Sequence, residues 1–88
     1  MELQGQIIHI FDEKRISDKL TIREFVIKTP GEYPQQILVQ TANAKTNLII
    51  GKKVGDVVTA HINIRGRRAG VENKWFNSIE CWKLEQDA

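Results

Sequence analysis

The chain has 88 residues, of which 41% are hydrophobic and 27% charged, and a formal net charge of +2. That length suits one compact domain, and the balance of apolar and charged residues argues against a disordered chain. A single cysteine, Cys81, excludes an internal disulfide and a multi-thiolate metal site. No apolar run approaches the roughly 20 residues of a membrane-spanning helix, and no signal sequence is recognisable, so the expected location is cytoplasmic.

Leu3–Phe11 shows mixed alternation, with Leu3, Ile7 and Phe11 on one parity and Ile8 and Ile10 on the other. A long strand, twisted or bulged to serve two surfaces, explains the mixture, and Gly5 is its natural bend. Asp12–Lys19 is polar, lacks helical periodicity and reads as a loop. Leu20–Thr29 predicts a second strand ended by the Pro30-Gly31 turn, and Gln35–Thr41 a third. Ala42–Ile50 is the only helix candidate, one or two turns long, with Gly51 or Gly55 to stop it. After the turn at Lys53–Asp56, Val57–Gly66 and Lys74–Leu84 complete the set. Residues 1–85 then form one domain, and 86–88 are expected to fray.

Five strands with a short helical connection between the third and fourth predict an all-β OB-fold barrel. An SH3-like barrel competes but accommodates the helix slot less well. Closing the sheet also removes the exposed edges of an open one.

The charge is unevenly placed. Lys45, Lys52, Lys53, Arg65, Arg67 and Arg68 stand against one acid, Asp56, between positions 45 and 68, which predicts a basic face or merely a solvated one. Arg65 and Arg67 share a parity, and side chains two residues apart on a strand repeat at about 7 Å, near the phosphate spacing of an extended single strand. Arg68 and Lys74 flank the hairpin that follows, and Lys52 and Lys53 precede the strand and would extend the track. Cross-strand pairing of the arginines with Glu24, Glu72 or Glu80 is the alternative.

Trp75 and Phe76 are adjacent, so a strand points them to opposite faces. Any of Trp75, Phe76 and Trp82 could stack on a base, with Trp75 preferred, or the two tryptophans could simply pack, one inside the barrel and one at a subunit contact. Ile79 and Cys81 are the core candidates of that strand unless a bulge swaps its faces. Tyr33 lies in an exposed turn where it could stack on a base or on the Pro34 ring. Arg23 shares a parity with Phe25 on the second strand, which with the third forms the usual OB binding face.

The segments M-E-L-Q-G-Q-I-I, E-F-V-I-K-T-P-G-E-Y-P and I-N-I-R-G-R…K-W-F-N-S-I-E-C-W-K-L-E resemble a small bacterial and phage family of uncharacterised proteins. That family is similar to the single-stranded DNA-binding (SSB) superfamily of OB-folds. More distantly, Gly55-Asp56-x-Val58 leading to Arg65-Gly66-Arg67 is similar to a pattern of SSB fourth strands. The resemblance implies an OB-fold and a role on single-stranded DNA. Ala42-Asn43-Ala44 stands where an aromatic follows the third strand in the family, which implies weaker single-strand binding or binding that leans on charge. Glu85-Gln86-Asp87-Ala88 is too short to match the acidic SSB tail and lacks its terminal hydrophobic residue.

His9 and His61 have no carboxylate or thiolate at ligand spacing, and Ser17, Ser78 and Cys81 form no catalytic pattern with them, so no metal, cofactor or enzymatic activity is expected. The reading is a sequence-tolerant binder of single-stranded nucleic acid, DNA ahead of RNA, in a homodimer or higher oligomer. It would use Arg65, Arg67, Arg68, Lys52, Lys53, Lys74 and Arg23 for charge and Trp75, Phe76 and Tyr33 for stacking. The alternative is a protein-interaction or oligomerising module of a replication, recombination or mobile-element assembly.

Overall fold

The computed structural model describes residues 1–70 and 74–87. Its elements are β1 (Glu2–Ile10), β2 (Lys14–Ser17), β3 (Leu20–Lys28), β4 (Gln36–Ala42), a 3-10 helix (Asn43–Ile49), β5 (Val57–Ala69) and β6 (Lys74–Gln86). Strand pairing runs β1-β5-β6-β4-β3 and returns from β3 to β1, so five strands close into a ring. This is the five-stranded OB-fold, with its helix between the third and fourth barrel strands. Every pairing is antiparallel except β4 with β6, which meet in parallel at Gln40 and Glu80.

β1 explains its own mixed pattern. Glu2–Gln6 pairs with β5 and Gln6–Ile10 with β3, and the register shifts between Ile7 and His9. The shift lets Leu3, Ile7 and Ile10 all reach the core despite their unlike parity. Gly5 is buried where β1 passes from one neighbour to the other. A Cβ there would run into the Lys28 carbonyl oxygen and lie 2.6 Å from Ile27 Cγ2.

The core is the inward row of each strand: Ile7, Phe25, Ile27, Val39, Val58 and Cys81 are fully buried. Ile49 of the 3-10 helix joins them. The helix is 3-10 where Thr46 donates its hydroxyl to the Asn43 carbonyl, a local competition that tightens short polar helices. Gly51 follows it at φ 84°. Burial pushes the Cys81 thiol up from its ordinary value, as an inert core cysteine requires.

Two expectations need correction. Lys14–Ser17 is not loop but a short strand, fully exposed and antiparallel to β3. Its single apolar residue, Ile16, faces solvent, so burial left no periodic signal; the strand covers the free edge of Leu20–Ile22. At the other end, Gln86 closes β6 and Asp87 is held. The Asp87 amide donates to Val57, and its carboxylate accepts from Gln4 and Thr59. The described part of the expected tail, Gln86 and Asp87, is therefore tied to the barrel, and position 88 lies outside the described residues.

In β6 the register slips opposite His61 and Ile62, where Lys83 and then Cys81 are the partners. Trp82 is the extra residue of this bulge. It swaps the parity, so Cys81 and Leu84 both turn toward the core.

Candidate nucleic-acid interface

β5 and β6 run on as a two-stranded ribbon beyond the barrel, paired out to Ala69 and Lys74. Residues directly opposite one another share a face. Arg65 and Ser78, Arg67 and Phe76, and Asn63 and Glu80 therefore lie on the outer face. Ile64 with Ile79, Gly66 with Asn77, and Arg68 with Trp75 lie on the other, which continues the core-facing row of Ile62 and Cys81.

Past the single bridge at Gln40 and Glu80, β6 diverges from β4. The gap is a cleft of about 730 Å³ whose lining includes Gln40, Arg65, Arg67, Phe76, Ser78 and Glu80. Gln40, Asn77 and Ser78 carry it into a smaller depression of about 240 Å³ against Glu24 and Leu38. Phe76 is 52% exposed, which leaves ring surface free in the cleft. Arg67 has no ion-pair partner among the described residues, whereas Arg65 Nε lies 3.1 Å from Glu80 Oε2. Glu72, the other acid considered for these arginines, lies outside the described residues.

The structure thus brings together Arg65, Arg67 and Phe76 and separates the rest. Trp75, 71% exposed, sits on the opposite ribbon face beside Arg68. Lys74 ends the ribbon. Arg23 is half-buried, and its Nε donates to the Phe11 carbonyl at 3.1 Å, which ties β3 to the chain leaving β1. Lys52 and Lys53 lie before β5, where Gly55 donates to the Ile7 carbonyl at the far end of the barrel. From Val57 to Arg65 the strand climbs roughly 26 Å at about 3.3 Å per residue. The basic run is therefore not one continuous track. Tyr33, 81% exposed, is on the β3–β4 loop next to the cleft between Gln6, Lys28, Pro30 and Val57, also at that far end.

Reading the strands singly missed Gln40, Asn77, Ser78 and Glu80 as cleft residues. Gln40 was legible only as the outward alternate of buried Val39 and Thr41. Which outward residues meet depends on the β4–β6 crossing, which no local pattern encodes.

The family described as a domain of unknown function (DUF3127) matches residues 2–85. The chain belongs to the DUF3127 family. No curated protein matches it. Among solved structures it is similar to the dimeric structure of the N-terminal domain of PriB protein from Thermoanaerobacter tencongensis. That likeness has a TM-score of 0.72 and 14% identity, and it covers 100% of this chain and 94% of the other. At that identity the likeness is one of fold.

The DUF3127 chain carries a second polar cluster on the outer face of β1, β5 and β6. His61 Nε2 lies 3.1 Å from Glu85 Oε1, and Nδ1 lies 3.6 Å from Glu2 Oε1. The ring is tilted over Trp82 at 5.2 Å. These carboxylates come from other strands, so sequence spacing around His61 could not reveal them. Among the described residues, no group of three or more His, Cys, Asp or Glu could hold a metal ion.

Hydrogen bonds from Lys83 and His61 lower the Glu85 carboxyl from its ordinary value. A carboxylate held low in the folded state stabilises it above the unfolded value and loses that contribution as pH falls through the folded value. The Tm gap between the wild type and Glu85→Gln should therefore be open at neutral pH. It should close as pH drops below the ordinary carboxylate value of about 4.3, as a series of thermal melts would record.

Proposed function

We propose that this domain binds single-stranded nucleic acid, DNA in the first instance, along the outer face where β4 and β6 diverge. The observation that carries the reading is the convergence of Arg65, Arg67 and Phe76 on one cleft, beside Gln40 and Ser78. Guanidinium groups attract phosphates at a spacing an extended strand can match, and a half-exposed phenyl ring offers a stacking surface to any base. Amide and hydroxyl side chains supply donors and acceptors for base edges and sugars. The resemblance of the sequence to SSB-type OB-folds supports the same choice.

Phe76 is the preferred stacking platform in this reading. Trp75 and Arg68 lie across the ribbon, where a strand wrapping its tip would meet them. Lys52, Lys53, Tyr33 and Lys28 at the far end would act only on a strand long enough to cross the barrel. One OB-fold covers roughly 4–16 nucleotides, so an oligomer extends the footprint, and a domain this small gains stability from association. Binding needs no cofactor and no catalytic group, and the setting is cytoplasmic.

The test is fluorescence anisotropy of a labelled, mixed-sequence single-stranded DNA of about 35 nucleotides, at low and moderate salt. Saturable binding that weakens with salt is expected, and Phe76→Ala should lower affinity by about fivefold to a hundredfold, the loss of one stacked base. Absence of any binding at low salt would sink the reading.

A second reading has its own observation. Ile64 and Trp75 are exposed on the ribbon face that continues the core row, and the similar PriB structure is dimeric. A protein-interaction or oligomerising module would bury that face. Its signature is a stable assembly unaffected by added oligonucleotide.

A further inference from the structure

Glu80 is out of place in a cleft built to receive phosphates. It is the partner of Gln40 at the one bridge that closes the barrel, so its backbone is fixed where β4 and β6 part. Its side chain is only 29% exposed, against 66% for Arg65, and its carboxylate lies 3.1 Å from the Arg65 guanidinium. Arg67, one repeat further along the same face, has no such partner among the described residues. A carboxylate on a guanidinium has the charge and the in-plane oxygen geometry of a phosphate oxygen pair.

We propose that Glu80 is an internal stand-in for the ligand's phosphate, which occupies Arg65 in the free protein and must release it when a nucleic-acid strand enters. This rests on the nucleic-acid reading of the cleft and adds a residue that sets its affinity. An ion pair this exposed is weak, so a phosphodiester can displace it, as a tight buried pair would not allow. Glu80 therefore works against binding chiefly by competing with the phosphate for Arg65. Glu24, lining the adjoining depression, is the other acid near this path and faces it from β3 without an ion-pair partner among the described residues. The arrangement keeps Arg65 from acting as a permanent anchor, so that weakly held strands leave and Arg67 carries the first contact.

The experiment measures the affinity of the same labelled 35-nucleotide strand for the full chain, Glu80→Gln, Arg65→Gln and the double variant. Glutamine keeps the size and the hydrogen-bonding capacity at the bridge; circular dichroism checks each fold, and Glu80→Ala provides a second removal of the charge. Glu80→Gln and Glu80→Ala should both bind several-fold more tightly than the wild type. The gain should largely vanish when Arg65 is also glutamine, and the salt dependence of Glu80→Gln should be steeper by up to about 0.7 in log K against log salt, one more neutralised phosphate. Equal or weaker binding by the Glu80 variants, while the wild type binds, would overturn the stand-in and leave the cleft reading intact. A gain of the same size with Arg65 absent would also overturn it, because that is general charge relief. Failure of every variant to bind would remove the nucleic-acid reading and the inference with it.

Discussion

Arg67→Gln is expected to weaken single-stranded DNA binding by tenfold or more at low salt, and Arg65→Gln by distinctly less. The two side chains share a strand, a face and a cleft, so sequence would rank them equally. Their partners separate them. On the proposed reading Arg65 would exchange the Glu80 carboxylate for a phosphate, so only the difference between those contacts would contribute. Arg67 would exchange water for phosphate and contribute a charge-assisted hydrogen bond, on the order of 1.5–3 kcal/mol. The salt dependence should report the same asymmetry. Arg67→Gln should flatten the slope of log K against log salt by about 0.7, the value for one phosphate on a single strand. The measurement is anisotropy titration of each variant at four or five salt concentrations. Equal losses for the two arginines would mean that Glu80 does not compensate Arg65 in solution.

The second large effect is structural. Gly5→Ala should destabilise the domain by about 3 kcal/mol, the upper part of the usual range for forcing an added carbon into a packed core. At this size that is a fall in Tm of about 12–20 °C. The reason is what the methyl group would meet: the Lys28 backbone carbonyl and the branch of buried Ile27. A backbone carbonyl in a strand ladder cannot turn aside as a side-chain tip can. Either β1 separates from β3 or the ring opens where β1 changes neighbours. Gly66→Ala is the internal control. Its Cβ would meet the Asn77 Oδ1 atom at 3.0 Å, the end of an exposed side chain that can give way. Thermal or urea denaturation should therefore show a large loss at Gly5 and a small one at Gly66. Losses of similar size would show that the close approach at Gly5 relaxes at little cost.

These two glycines illustrate how far local pattern reaches. Gly5 was legible as a bend because the apolar parity of β1 changes beyond it, but not as a point of contact with Ile27 and Lys28 of β3, more than twenty residues along the chain. The bulge in β6 is similar. A swap of faces was foreseeable from Cys81 and Leu84, both apolar and of unlike parity. That Trp82 is the residue expelled, onto the ring of His61, follows only from the register with β5. β2 left no signal because nothing in it is buried.

What the sequence by itself determined is the part that local physics dictates. Alternating apolar residues specify five barrel strands, Pro30-Gly31 and Gly51 mark their punctuation, and a short polar segment lies where the OB-fold carries its helix. A single cysteine ruled out an internal disulfide, and the strand pattern made Cys81 a core candidate. The tertiary structure decided which charged and aromatic residues meet. Strands extend by about 3.3 Å per residue, so Lys52 and Lys53, close to Arg65 along the chain, end far from it in space. Gln40, distant along the chain from Ser78 and Glu80, meets them through one parallel bridge. A cleft is a property of such long-range pairings, and it is the closure of the ring that places Arg65, Arg67 and Phe76 in one cleft and sets Glu80 against Arg65.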